Sequence, residues 1–150
     1  MPTLPETIAI SAASTTDVDE IKRLLVDSEL PTAGVDEHWK TFVVARDGKR
    51  MVGCGGSEVY PTTALLRSIA VLPEYQSCGI GRRLVRELIG RLASRGIMEF
   101  YLLTETAEEF FKRRGFKRVD RDEVNPQMLA SREFNDACPK SAVCMRLVMQ

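Results

Sequence analysis

Apolar and polar positions alternate through "TIAISAAS" (7–14), as they do in a half-buried strand. The next stretch, "TTDVDEIKRLLVDSEL", opens on Thr and Asp, which cap helices, and sets Val18, Ile21, Leu24 and Leu25 at helical spacing. "PTAGVDEHW" reads as a loop with room for a short helical turn. Two strand-like runs, "KTFVVAR" and "RMVGCGGSEVY", flank the hairpin signal Asp47-Gly48. "TTALLRSIAV" is nearly all apolar towards its end, which suits a central strand. From about Gly79, Ile80, Leu84, Leu88 and Leu92 recur every four residues, with Val85 and Ile89 beside them. This long helix stops near Arg95-Gly96, a plausible cap. Strand "MEFYLLT", helix "ETAEEFFKRR", strand "FKRV", short helix "NPQMLASREFN" and strand "SAVCMRLVM" complete the order. The pattern predicts a single α/β domain, a mixed sheet with helices on both sides.

Composition narrows the function more than the fold. The 150 residues suit one domain with a real core. A net charge of +0 provides no global field to draw the chain to nucleic acid or membrane, so any anion site must be local. No apolar run approaches the roughly 18 residues of a membrane span. "MPTLPETIAISAAS" lacks the basic head and long apolar stretch of a signal peptide, so a cytoplasmic location is expected. Cys54, Cys78, Cys138 and Cys144 form no C-x-x-C pair and His38 is the sole histidine, which argues against a zinc site and for free thiols. Cys78 stands where a helix start can activate a thiol, but no histidine neighbours it as a base.

The chemistry concentrates in "SIAVLPEYQSCGIGRRLVRELI". Two arginines open a helix whose start is already positive, a placement that costs roughly a few tenths of a kcal/mol unless an anion binds there. Gly79 and Gly81 let the backbone approach a ligand closely. Free N–H groups at the helix start form an anion cradle, and Arg82 and Arg83 add formal charge. These features point to a phosphate-rich ligand; the alternative is a plain strand-to-helix turn. A Walker A loop is excluded, because no G-K-[ST] follows the glycines. A dinucleotide-binding turn matches poorly, since Leu84 stands where the third glycine belongs.

The turn reads Q-x-x-G-x-G after V-x-P-E-Y, and with the hairpin strands, the fifth strand and "AEEFFKRRGF" the chain resembles the GNAT N-acetyltransferase superfamily over nearly its whole length. The resemblance implies a mixed, mostly antiparallel sheet flanked by helices, acetyl-CoA as co-substrate without a metal, and a small-molecule amine as acceptor. It implies that Gln76, Ser77, Cys78, Gly79, Ile80 and Gly81 hold the pyrophosphate, with Arg82 adding charge. The backbone of Ala70 and Val71 would pair with the pantetheine arm, and the Val71 N–H would polarise the thioester carbonyl. Many members carry a proton-donating Tyr in A-x-x-F-Y-x-x-x-G-F. Phe111 takes that position in the CoA site and has no proton to give, leaving water, Tyr101, Thr104 or no acid at all.

A general base calls for a carboxylate facing the cleft, and Glu58, late in the third strand, and Glu105, just after the fifth, are candidates. His38, in a loop beside Trp39, is a further candidate. Arg67, in an otherwise apolar strand, either pairs with a carboxylate of the protein or forks onto one of a ligand. "LPTAGVDEHW", "ALLRSIAV", "LLTETAEEFFKRRGF" and "EFNDACPKSAVCM" look closer still to the arsenic-resistance subfamily, associated with N-acetylation of arsinothricin and phosphinothricin. Small N-acetylglutamate synthases share similar features. This resemblance implies a glutamate-like acceptor, Arg67 on its carboxylate, and Thr104, Glu105, Thr106 and Ser141 at the cleft edge. A polyamine or protein acceptor, or a non-catalytic CoA-binding module, stays open, and a homodimer through the last strands is compatible with the sequence.

Overall fold

The computed structural model describes residues 7–137 and 141–149. Strands β1 (Ile8–Ala12), β2 (Val43–Asp47), β3 (Arg50–Val59), β4 (Thr63–Val71), β5 (Glu99–Thr104), β6 (Lys117–Arg118) and β7 (Val143–Val148) make one sheet. Its order is β1-β2-β3-β4-β5-β7-β6, which puts the apolar β4 at the centre. Only β4 and β5 pair in parallel; the other neighbours are antiparallel, as the family resemblance implied.

Helices α1 (Val18–Asp27), α2 (Val35–His38), α3 (Ile80–Ala93) and α4 (Glu108–Lys112) cover the sheet. Alternate residues of β2 leave the sheet on opposite faces. Val43 and Ala45 pack with Ile80, Leu84 and Leu88 of α3, whereas Val44 packs with Ile21, Leu24 and Leu25 of α1. A third cluster, Leu65, Tyr101, Met128, Phe134 and Cys144, ties the stretch between β6 and β7 to the sheet.

Two expectations need correction. "NPQMLASREFN" is not one helix but a 3-10 turn, Pro126–Ala130, and a π turn, Glu133–Ala137. Side-chain bonds to the backbone compete with a continuous helix: Asn125 Oδ1 accepts from the Gln127 N–H at 2.9 Å and Ser131 Oγ from the Phe134 N–H at 3.0 Å. "FKRV" shrinks to the two residues of β6.

One irregularity positions the site. Cys54 faces Ala70 and Gly56 faces Arg67, so Ser68 and Ile69 together oppose Gly55, and β4 bulges. Ser68 has φ 60, a left-handed conformation unusual for a residue with a side chain. Cys54 Sγ donates to the Ser68 carbonyl at 3.3 Å. Pairing of β4 with β5 is confined to Thr63–Leu65 against Glu99–Tyr101. Past that point the two strands separate and open a cleft.

No helix among the described residues is long and apolar enough to cross a membrane. Cys54 and Cys144 are buried free thiols, pushed up by that burial to about 12 and about 11, and so poor nucleophiles. Cys138 lies outside the described residues.

Candidate active site

The cleft is a cavity of about 290 Å³ between the separated ends of β4 and β5. Leu66 to Val71 form one wall; Leu102, Leu103, Thr104 and Phe111 form the other; Gln76 and Glu133 also line it. The Leu72 N–H donates to the Val52 carbonyl of β3 at 2.9 Å. Donors alternate in direction along a strand, so the Val71 N–H points the other way, into the cleft. The Val71 carbonyl, on the same side, accepts from Gln76 Nε2 at 2.9 Å. The wall of β4 therefore turns the Val71 N–H to the cleft, whereas Ala70, paired with Cys54, turns its backbone groups to β3.

The loop from Gln76 enters α3 through two left-handed residues, Ser77 (φ 68) and Gly79 (φ 91). Gly79 is the N-cap of α3, and the space where its Cβ would stand is open. The N–H groups of the first turn, Ile80 to Arg82 among them, have no partner within the helix. Cys78 Sγ donates to the Tyr75 carbonyl at 2.8 Å and braces the turn. Such an open, N–H-lined turn fits a pyrophosphate. The two arginines diverge. Arg83 Nη2 donates to the Ile8 carbonyl at 3.2 Å, away from the loop. Arg82 faces a groove of about 800 Å³ that it lines with Arg86, Arg113 and Arg114 and, among the described residues, with no carboxylate. Arg114 lies over the Phe110 ring at 4.0 Å, and burial together with the charges of Arg82 and Arg113 lowers its pKa.

At the inner end of the cleft Arg67 is held between two carboxylates. Its Nη1 donates to Glu58 Oε2 at 2.7 Å, its Nε donates to Ser68 Oγ at 2.9 Å, and Nε stands 3.4 Å from Glu133 Oε1. Its Nη2 makes one long bond, 3.4 Å, to the Pro31 carbonyl. The side chains of Arg67 and Glu58 are 0% and 1% exposed. Gly34 must be glycine here, because its φ is +91 and a Cβ would stand 2.6 Å from Arg67 Nη1. Burial opposes the charge of Glu58, but hydrogen bonds from Ser131, Tyr60 and Arg67 hold its carboxyl below the ordinary value. Glu133 has no such support, and burial pushes its carboxyl up to about 7, with the Arg67 charge opposing the rise and the Glu58 charge adding to it.

The remaining sequence candidates scatter. Glu58 faces Arg67 and Tyr60 and does not line the cavity. Glu105 is exposed, accepts from Ser141 Oγ at 3.2 Å, and also lies off the lining. Thr104 lines the cleft, but its Oγ1 accepts from the Ala107 N–H at 3.0 Å at the start of α4. Thr106 lines the cleft as well. Tyr101 is buried on another cluster, its hydroxyl accepting from the Asn125 N–H, so it is not at hand as an acid. Phe111 lines the cleft and packs edge-to-face on Phe110 and Phe116. His38 is half-buried behind Gly34, with Cδ2 3.6 Å from that residue's Cβ position. Glu133 was not singled out from the sequence. It lies in an irregular turn far along the chain from Arg67, where no periodicity marks it.

An acetyltransferase (GNAT) domain model matches residues 38–118. The chain belongs to this GNAT family. An uncharacterized N-acetyltransferase from Chlorobaculum tepidum is 36% identical over 114 residues, 75% of this chain and 71% of that protein. A solved structure from Mycobacterium tuberculosis in complex with CoA superposes with TM-score 0.79 at 26% identity, covering 95% of this chain and 99% of that one. N-acetylglutamate synthase from Neisseria gonorrhoeae, complexed with CoA and N-acetyl-glutamate, shares the fold with TM-score 0.81 at 20% identity; 95% of this chain matches 35% of that one. As a GNAT protein the chain is an acyltransferase whose donor is acetyl-CoA.

Proposed function

We propose that the chain transfers the acetyl group to the primary amine of a small, glutamate-like amino acid. The observation that carries this reading is the cluster at the inner end of the cleft, one guanidinium between two carboxylates. With both carboxylates ionised the cluster is net negative and complements an ammonium group. Arg67 Nη2, held among the described residues only by its long bond to Pro31, is the donor offered to an acceptor's carboxylate. Acetyl-CoA would lie with its pyrophosphate on Gln76 to Gly81, its pantetheine along Ala70 and Val71, and its thioester carbonyl accepting from the Val71 N–H. The groove of Arg82, Arg86, Arg113 and Arg114 adds positive field beside that loop.

The neutral amine attacks the carbonyl carbon, the C–N bond forms, the C–S bond breaks, and CoA leaves as a thiolate that takes a proton. Phe111 supplies none, so the proton comes from the attacking nitrogen or from water. The N-acetylglutamate synthase likeness supports an amino-acid acceptor, and arsinothricin and phosphinothricin belong to the same chemical class. A second reading, a cation without a carboxylate such as a polyamine or a peptide amine, is favoured by the net negative charge alone.

Free-thiol release from acetyl-CoA against glutamate, phosphinothricin, arsinothricin, other amino acids, spermidine and a lysine peptide decides between them. Turnover confined to glutamate-like amino acids is expected. Turnover only with spermidine or peptide would transfer the acceptor to the cationic class. Silence across the panel, with acetyl-CoA still raising the Tm, would make the chain a CoA-binding module.

A further inference from the structure

Glu58 and Glu133 flank the same guanidinium, yet their surroundings differ. Tyr60 Oη and Arg67 Nη1 donate to Glu58 at 2.8 and 2.7 Å. Among the described residues Glu133 has only the 3.4 Å approach of Arg67 Nε, a distance at the weak end for a charged pair. Glu133 is 3% exposed, and it lines the cavity that Ala70 and Val71 also line. A carboxylate so placed is weakly coordinated by the described residues and borders the cleft. The other titratable or charged groups on this side are Arg67 of β4, Glu58 of β3 with Tyr60 beyond it, and His38 of α2 behind Gly34.

We infer that Glu133 receives the acceptor's ammonium group and takes its proton, as the general base of the transfer. The inference rests on the acetyl-transfer reading above. One proton passes from R–NH₃⁺ to the Glu133 carboxylate, leaving a neutral amine and a carboxylic acid. The nitrogen lone pair forms the C–N bond and the carbonyl π electrons move to oxygen. Their return breaks the C–S bond, and the second nitrogen proton accompanies the thiolate as CoASH. Glu133 then releases its proton to water. Burial fits the role, because a base poised near neutrality is strong enough to accept the proton and weak enough to release it. Glu58, held ionised by three donors, acts through Arg67 as a positioning residue.

The test is Glu133→Gln, with the most active acceptor of the panel and with acetyl-CoA affinity measured alongside. Wild-type kcat/KM for the amine should rise with pH through an ionisation near 7 and fall again as the free amine deprotonates. In E133Q the rate at pH 7 should drop by about 10²-fold or more. The lower limb should vanish, so that the rate climbs towards the amine's own ionisation, while acetyl-CoA affinity stays within a factor of about two. Glu133→Asp should recover a measurable part of the rate and the lower limb. E133Q that keeps the wild-type rate and pH profile overturns the assignment and leaves the acetyltransferase reading intact. Loss of acetyl-CoA affinity in both variants, or failure of both to fold, assigns Glu133 to the scaffold and also overturns it. A wild-type protein silent with every amine overturns the acetyl-transfer reading, and the base with it.

Discussion

Arg67 holds two buried carboxylates at a strand position that otherwise carries apolar side chains, and its removal should be felt first as instability. Arg67→Ala leaves Glu58 and Glu133 buried without their cation. Breaking a buried pair in this way costs about 3–5 kcal/mol. For a chain of this size that is a drop in Tm of roughly 10 °C, read by urea and thermal unfolding. An Arg67 that served only as a fork for the acceptor would leave stability within about 1 kcal/mol and raise the acceptor KM alone. The sequence left both roles of Arg67 open because a lone arginine in an apolar strand does not reveal its partners. Those partners come from β3 and from the turn at Glu133, and only the tertiary fold assembles them.

The loop between β4 and α3 was the most legible element, and the bulge in β4 the least. Gly79 and Gly81 follow an apolar strand and precede a four-residue apolar repeat, so turn and helix could be read directly. Ser68 carries no signal for a left-handed backbone, yet it lies just past Leu65, the last β4 residue paired with β5. The family resemblance implies Glu105 and Ser141 at the cleft edge, but their side chains turn to each other on the surface. At Gly79 the two requirements separate. Its φ of +91 penalises any side chain, although the surrounding space is open. Gly79→Ala should lower stability by about 1 kcal/mol in chemical denaturation. Gly79→Glu should show a similar loss but abolish acetyl-CoA binding in calorimetry, because it places a carboxylate in the cradle. Retained affinity in Gly79→Glu would remove the pyrophosphate from this loop.

At the scale of the molecule, a sheet with one parallel junction, bulged just beyond it, makes a cleft that the helices do not fill. Its β4 wall presents the Val71 N–H, its outer rim borders the turn proposed for the pyrophosphate, and its inner end sets Arg67 between two carboxylates. A thioester and an amine are thereby expected from opposite ends to meet at Val71. The direct test is a crystal structure of the protein with acetyl-CoA. The account predicts the pyrophosphate on the Gln76 to Gly81 loop, the thioester carbonyl within hydrogen-bond distance of the Val71 N–H, and Glu133 on the open, acceptor side of the carbonyl carbon. A pantetheine arm lying instead in the arginine groove beside Leu147 and Met149, with the cleft between β4 and β5 empty, would contradict it.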